Sequence, residues 1–400
     1  MIKNILFFND FGYINGGASK VAIDTAIGLS IKGYKIIFIC GIGPVCEELK
    51  NTPIKTICIS ENTDWKSNLL ESAIKAIWNK SLYEIGINEL KDINPSETIA
   101  CVHYISKILS PSVFKLLNDL NIKGIFTLHS YYTCPNEASY NYRKGKICTL
   151  KPMSTKCILC NCDVRNYFQK IYRCFRQLSI NYNIKRYSHL SYFAVSNMER
   201  EIILKHNNKH LNKIGVLYNP VDIYKGEKIR ISQNTNYIFI GRLSEEKGIT
   251  DFCKAMQELD LNGIVLGDGK LLNSLRNQYP NVRFEGWIDS KDMKTYYKQA
   301  KCLVFPSKVP ETFGLSIVEA LSYGIPCIVP SKCGAVDVIN DGGNGFVYEI
   351  GSYNSLINCI KKFESSDLKF MENFISKDNN PYNFSINKYI QNYECILKKL

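Results

Sequence analysis

Four hundred residues with 45% hydrophobic and 22% charged content describe an ordinary globular chain of two or three domains. No run approaches the roughly 18 apolar residues that cross a bilayer, which excludes a membrane-spanning reading. The formal net charge of +13 is lopsided: residues 1–220 hold 28 Lys+Arg and 16 Asp+Glu, whereas residues 221–400 hold 22 and 21. A basic first half beside a neutral second half predicts different partners for the two. For the first half, phosphates of a lipid-linked acceptor or an anionic membrane surface fit. The opening residues lack the length and cleavage pattern of a signal peptide, so a cytosolic location is expected. There the 16 cysteines are expected to stay reduced and to serve packing or metal binding.

In chain order, residues 2–8 read as a buried strand, residues 12–17 as a glycine-bearing loop and residues 18–31 as a helix. Further strands are predicted at 34–40, 56–60, 98–103, 124–128, 192–195 and 214–217. Continuous apolar strands alternating with helices indicate a parallel sheet covered on both faces. Residues 218–222, Tyr-Asn-Pro-Val-Asp, read as a hinge. The second half repeats the pattern, with strands predicted at 237–240, 264–266, 282–285, 302–305 and 326–329 and a helix from about Ile249. The final helix, about 386–400, is expected to cross back onto the first half. The expected architecture is thus α/β, two Rossmann-like domains facing across a cleft: residues 1–218, completed by that last helix, and residues 219–385. Ligands of such folds bind at the carboxyl ends of the strands.

Three stretches carry chemistry. Gly16 and Gly17 follow the first strand and open a helix, where small residues let a phosphate approach backbone N–H groups; a plain tight turn reads equally well. The run Gly241-Arg-Leu-Ser-Glu-Glu-Lys-Gly248 follows a buried strand and places Arg242 and Lys247 where they can neutralise a diphosphate, with a charged surface turn as the alternative. In Glu311-Thr-Phe-Gly-Leu-Ser-Ile-Val-Glu319, Pro306, Pro310 and Gly314 place Glu311 in a loop, and Leu315, Ile317, Val318, Ala320 and Leu321 read as a mostly buried helix ended near Gly324 and Pro326; a carboxylate at each end is expected roughly 12 Å apart at 1.5 Å per residue. Free N–H groups of the helix start lie between them. Carboxylate, phosphate cradle and carboxylate suit the hydroxyls, diphosphate and ribose of a sugar nucleotide.

Together with Thr127-Leu-His129, Asn219-Pro-Val-Asp222, Gly267-Asp-Gly269, Gly334-Ala335 and Asn344-Gly-Phe346, these motifs resemble the retaining GT-B glycosyltransferases of bacterial family 4. The resemblance covers nearly the whole chain. It implies that Arg242 and Lys247 bind and stabilise the departing diphosphate and that Glu311 contacts hydroxyls of the transferred sugar. It further implies that the backbone of Phe313, Gly314, Leu315 and Ser316 holds sugar and phosphate, and that Glu319 binds the ribose. The turn at Trp287 and Ile288 would hold the base, and Gly16 and Gly17 would admit the donor. His129 occupies the family's active-site histidine position; His103, ending an earlier strand, reads as a packing residue. No Asp-x-Asp occurs, so catalysis is expected to need no metal, with Arg242, Lys247 and helix-start amides supplying the charge. The implied reaction is a same-face transfer in which the leaving phosphate helps take the acceptor proton. The implied activity is that of a hexosyltransferase-type enzyme acting in bacterial surface polysaccharide assembly. A catalytically silent scaffold of the same fold and a nucleotide-sugar epimerase are the competing readings.

Residues 130–162 form a cysteine-bearing insertion like one found in a subset of that family. Cys134, Cys148, Cys157 and Cys160 are candidate ligands for a structural zinc ion, with free thiols the alternative. Residues 165–186 then hold Arg165, Lys170, Arg173, Arg176, Lys185 and Arg186 without an acid, interleaved with Tyr167, Phe168, Ile171, Tyr172, Phe175 and Leu178. That pattern predicts a basic amphipathic helix at a membrane interface or one covering the core with snorkelling side chains. No nucleic-acid-binding module is recognisable, so no nucleic-acid partner is expected.

Overall fold

The computed structural model describes residues 2–60, 69–106, 108–187, 189–206, 211, 213–289, 291–378 and 380–400. The chain divides into two compact units. One comprises residues 1–137, 149–220 and 386–400, the other residues 138–148 and 221–385.

The first unit is built on seven parallel strands: β1 (Asn4–Phe11), β2 (Lys35–Ile42), β3 (Lys55–Ser60), β4 (Thr98–Val102), β5 (Lys123–Leu128), β6 (Leu190–Ala194) and β7 (Ile214–Val216). Their order is β3-β2-β1-β4-β5-β6-β7. The chain leaves β1 for one side of the sheet and returns through β4 to the other, so the switch point lies between β1 and β4. Helix α1 (Gly17–Ile31) covers one face through Val21, Ala22, Ile23, Ala26 and Leu29. The C-terminal helix Ile386–Leu397 packs there too, burying Tyr389, Ile390, Tyr393 and Leu397 in the same cluster. The expected return of the last helix to the first unit is therefore observed. The other face buries Leu6, Phe8, Val102, Phe114, Phe126 and Ile180.

Helix α2 (Tyr167–Arg186) has an unusual orientation. Lys170 and Arg176 point inward and are buried, whereas Phe168, Phe175, Leu178 and Tyr182 are exposed, Phe168 by 86%. Arg176 is held inside by the Ser106 carbonyl at 3.0 Å and by Glu137 at 2.6 Å. The basic side chains expected to snorkel outward are thus partly turned in, and apolar ones are turned out.

The second unit carries six parallel strands: β8 (Asn236–Ile240), β9 (Asn262–Leu266), β10 (Val282–Gly286), β11 (Ala300–Val304), β12 (Cys327–Pro330) and β13 (Gly345–Tyr348). Their order, β10-β9-β8-β11-β12-β13, puts the switch point between β8 and β11. Helix α3 (Ile249–Glu258) buries Ile249, Phe252, Cys253, Ala255 and Met256 against the sheet. The chain passes from the first unit to the second after Pro220 and returns after Ser385. A short hairpin, Tyr140–Asn141 paired with Lys146–Ile147, lies between residues 138 and 148. It falls inside the predicted insertion of the first domain yet groups with the second unit.

The switch point is closed by backbone contact. Gly248 adopts φ +73°, and a Cβ there would lie 1.9 Å from the Pro306 carbonyl oxygen. The loop after β8 is therefore seated directly on the loop after β11. A Gly248→Ala variant combines left-handed strain with a backbone clash and is predicted to lose at least about 2 kcal/mol of stability, read by urea denaturation.

Candidate functional site

The loop after β8 contains Arg242 and Lys247, and the loop after β11 contains Glu311. The two meet at the switch point: Lys247 Nζ lies 2.6 Å from Glu311 Oε1, with both side chains largely withdrawn from solvent. Ser307, itself buried, donates its hydroxyl to the same oxygen at 2.6 Å. The loops are further tied by Lys308 N–H donating to the Glu246 carbonyl at 2.9 Å. Arg242 stands apart, 67% exposed at its side chain and paired with Glu246 at 2.9 Å.

Glu311 is positioned from a second direction. Its N–H donates to the Lys332 carbonyl at 3.0 Å, and its carbonyl accepts from Gly334 N–H at 2.9 Å. The following Phe313 carbonyl accepts from Ala335 N–H at 2.7 Å. This parallel bridging explains the Gly334-Ala335 motif: it fixes the approach to helix α4 (Leu315–Tyr323). Gly314 caps α4 at φ +107° with no side-chain cap bond. A Cβ at Gly314 would come within 2.8 Å of Ile317 and 3.1 Å of Cys333. The helix start can therefore offer N–H groups to an anion. Glu319 does not stand at the far end of the helix, as the spacing suggested. It is the fifth residue of α4, about 6 Å of rise from Leu315. Beneath it lies the buried Tyr297, whose hydroxyl is pushed well above the usual phenol range by desolvation and by Glu319. Tyr297 stacks on Tyr323 at 4.5 Å, and Tyr323 on Tyr224 at 4.2 Å. Trp287 and Ile288 follow β10; Trp287 is 72% exposed and Ile288 half-buried.

In the first unit the strand ends place Gly16, Gly17, His103 and His129. Gly16 caps α1 at φ +111° with open space where a Cβ would stand, and Gly17 is the first residue of α1. His103 follows β4 and His129 follows β5. Their rings meet, with His103 Nδ1 3.0 Å from His129 Nε2. Desolvation holds both below the usual imidazole range, His129 to about 3. By its exposed area the His129 residue is half-buried rather than enclosed, so solvent offsets some of that desolvation. The ring is neutral at pH 7 in either case.

The proposed zinc ligands are not assembled. Among the described residues no group of three or more His, Cys, Asp or Glu side chains is placed to hold a metal. Cys148 groups with the second unit, whereas Cys134, Cys157 and Cys160 belong to the first. Cys157 instead accepts from Lys170 Nζ at 3.5 Å. Desolvation pushes the Lys170 ammonium down, but Cys157, Cys162, Cys174 and Cys134 outweigh it and hold it above the usual amine range. Two of the four candidate sulfurs, those of Cys134 and Cys157, thus face an ammonium, which disfavours a metal cation between them. Sequence spacing missed this arrangement, since Lys170 and Cys174 lie on α2, beyond the cysteine run. It also missed Ser307 and Tyr297, which carry no motif of their own.

Residues 225–380 match the family model described as glycosyl transferases group 1. The chain is 28% identical over 134 residues to the GDP-mannose-dependent alpha-mannosyltransferase of Corynebacterium glutamicum, covering 34% of this chain and 32% of that protein. It is 28% identical over 193 residues to the UDP-Gal:alpha-D-GlcNAc-diphosphoundecaprenol alpha-1,3-galactosyltransferase of Escherichia coli, covering 42% of this chain and 49% of that one. The aligned part thus spans about a third and about half the length of these relatives. The structure of Anabaena HepE in complex with UDP-glucose matches with a TM-score of 0.69 at 17% identity, covering 99% of this chain and 100% of that one. The fold is GT-B, and the second unit carries the group 1 glycosyl transferase signature.

The neutral histidines give a pH prediction. His103, His129 and His206 are all lowered by burial, so between about pH 6.5 and 4 the unfolded chain binds protons that the native chain refuses. Stability from these groups is full above pH 6.5 and falls as pH falls. Glu199, buried and raised, acts in the opposite sense: its native form keeps a proton the unfolded chain has released. In urea denaturation from pH 7 to 4, His103→Asn should therefore show a shallower acid loss than the wild type, by up to about 1.4 kcal/mol per pH unit.

Proposed function

We propose that this protein is a retaining glycosyltransferase. It moves a sugar from a UDP- or GDP-linked donor to a glycan or lipid-linked acceptor in bacterial surface polysaccharide assembly. The observation that carries the reading is the Lys247–Glu311 pair at the switch point of the second sheet, beside the uncapped start of α4. A cation, a carboxylate and helix-start N–H groups at one strand-end crevice are the parts needed to grip a sugar diphosphate. The family match of residues 225–380 and the likeness of the chain to two sugar-nucleotide-dependent transferases support the same conclusion.

In this reading the donor diphosphate takes Lys247 as its counter-charge, and Arg242 swings from its exposed pair with Glu246 to join it. Phe313 to Ser316 supply backbone N–H groups, Glu319 takes the ribose hydroxyls and Trp287 with Ile288 the base. Glu311 is a substrate grip. A carboxylate already bound by Lys247 and Ser307 is a poor free nucleophile, which favours same-face transfer over a covalent glycosyl-enzyme. The bond from the anomeric carbon to the diphosphate oxygen breaks, the acceptor oxygen bonds the same face, and its proton passes to the departing phosphate. His129, neutral, acts as a hydrogen-bonding group toward the transferred sugar. The positive charge for departure comes from Arg242, Lys247 and helix-start amides, with no metal required. Thermal-shift measurements against UDP- and GDP-sugars are expected to show stabilisation by one base class. Lys247→Ala should fold normally, lose that stabilisation and lower transfer at least about a hundredfold; unchanged turnover would overturn the assignment.

The outward apolar face of α2 supports a membrane-surface role. Phe168, Phe175, Leu178 and Tyr182 lie along one stripe, flanked by the exposed Arg165, Lys185 and Arg186. Apolar side chains that insert between headgroups, with cations beside them, suit an anionic bilayer. Co-sedimentation with vesicles containing phosphatidylglycerol should be strong and should fall about tenfold or more in Phe168→Ser/Phe175→Ser. Equal binding to pure phosphatidylcholine vesicles would contradict the charge component.

A further inference from the structure

Two cysteines face each other across neighbouring strands of the first sheet. Cys40 on β2 and Cys58 on β3 are register partners in the parallel ladder. Both lie on the face covered by α1, in the cluster that also holds Leu49 and Ile54. Parallel neighbours stand about 4.8 Å apart, within the roughly 4.4–6.8 Å that separates Cα atoms joined by a disulfide. The backbone spacing therefore already suits a bond between the two sulfurs. Cys58 is half-buried and within reach of a small solute, whereas Cys40 is wholly buried. The Cys58 side chain beside it, and then burial, push the Cys40 thiol far above its usual range, so Cys40 keeps its proton.

Cys40 also supports the glycine loop. A Cβ at Gly12 would come within 2.9 Å of Cys40 Sγ, so the sulfur lies directly beneath that glycine. Gly12 is tied on both sides of this contact. Its N–H donates to the Ile42 carbonyl at 2.8 Å, and its carbonyl accepts from Cys46 N–H at 2.8 Å. From there the chain runs through Gly16 into the start of α1. One sulfur thus serves both the strand pair and the loop. Contacts this close lose much of their dispersion energy when a gap opens, so a shift of the sulfur is felt by the backbone above it.

We propose that Cys40 and Cys58 form a reversible dithiol–disulfide pair, a modification site for hydroperoxides, and that its closure draws the Cys40 sulfur from beneath Gly12 and loosens the loop at residues 12–16. The Cys58 sulfur attacks the terminal peroxide oxygen and the O–O bond breaks. Cys58 becomes a sulfenic acid, and its thiol proton leaves on the departing water or alcohol. The Cys40 sulfur then bonds to the Cys58 sulfur, the S–O bond breaks, and the hydroxide leaves as water with the Cys40 proton. Two electrons pass in all from the thiol pair to the peroxide, and a dithiol reductant returns them by exchange. Cys46 packs against the same cluster but pairs in register with neither strand residue, and it stays a thiol.

Reduced full-length protein, treated with hydrogen peroxide, alkylated and digested without reductant, tests this by mass spectrometry. The expected product is the Cys40 peptide joined to the Cys58 peptide, absent before oxidation and lost again with dithiothreitol. Cys46→Ser should keep the crosslink and Cys58→Ser should abolish it. The wild-type crosslink can be read whether or not either variant folds. Amide hydrogen exchange at residues 12–16 should speed up about threefold or more when the wild type is oxidised, and return on reduction. Peroxide-treated Cys58→Ser should show no such change. Oxidation of Cys58 to a sulfinic acid without a bond to Cys40, or a crosslink from Cys58 to Cys46, would overturn the pair. A Cys40–Cys58 crosslink that leaves exchange at residues 12–16 unchanged would overturn the coupling to the loop.

Discussion

The second unit is organised around one ion pair. Lys247 and Glu311 come from loops more than 60 residues apart in sequence and meet at 2.6 Å where the strand order reverses. Much else in that unit serves to bring them together. Gly248 lets one loop rest on the Pro306 backbone, Lys308 N–H ties the same loops, and the Glu311 to Phe313 backbone is laced to residues 332–335. A half-buried pair of this kind is worth more than an exposed one, and breaking it by removal of one partner strands the other. Its functional meaning is competitive. Under the proposed function, the cation offered to the diphosphate is held by a carboxylate until a ligand offers a better partner, and the carboxylate so released would be free to take a hydroxyl.

The first unit uses burial in a different way. His103, His129, Glu199 and Lys170 are ionisable groups withdrawn from water; desolvation sets the first three, and the neighbouring cysteines outweigh it at Lys170. The histidines stay neutral and hydrogen-bond each other. Lys170 stays charged because polarisable sulfurs surround it. Arg176 is neutralised by Glu137. Turning these two cations inward is what leaves the aromatic and aliphatic side chains of α2 facing out, so an internal electrostatic requirement creates an external apolar face.

Most of the sheet framework was legible in the sequence because parallel strands buried on both faces are continuous apolar runs, as in Ile5 to Phe8 or Ile36 to Cys40. The placing of Gly16, Arg242, Lys247 and Glu311 in loops at strand ends was legible because glycines and charges directly follow apolar runs. Three features were not. The loop at Glu311 and the helix from Leu315, ended near Gly324, were legible, but the roughly 12 Å separation counted the whole stretch as helical rise, whereas Glu311 is bridged to Cys333 and Glu319 is only the fifth residue of α4. The candidate zinc ligands, chosen by counting sulfurs along the chain, are not brought together among the described residues, and the count overlooked a lysine that enters from a different element. The direction of α2 was hidden because a basic, aromatic helix has two apolar-looking stripes, and only Glu137 and the Ser106 carbonyl decide which one turns in.

The competitive pair is tested most directly by the affinity for UDP or GDP, whichever stabilises the protein, measured by calorimetry on wild type and Glu311→Gln. The free nucleotide carries no sugar, so the hydroxyl-binding role of Glu311 does not enter. If Glu311 restrains Lys247, Glu311→Gln should bind the nucleoside diphosphate about threefold to tenfold more tightly, matching the release of about 1 kcal/mol from a part-buried ion pair. Equal or weaker binding by Glu311→Gln would contradict the account.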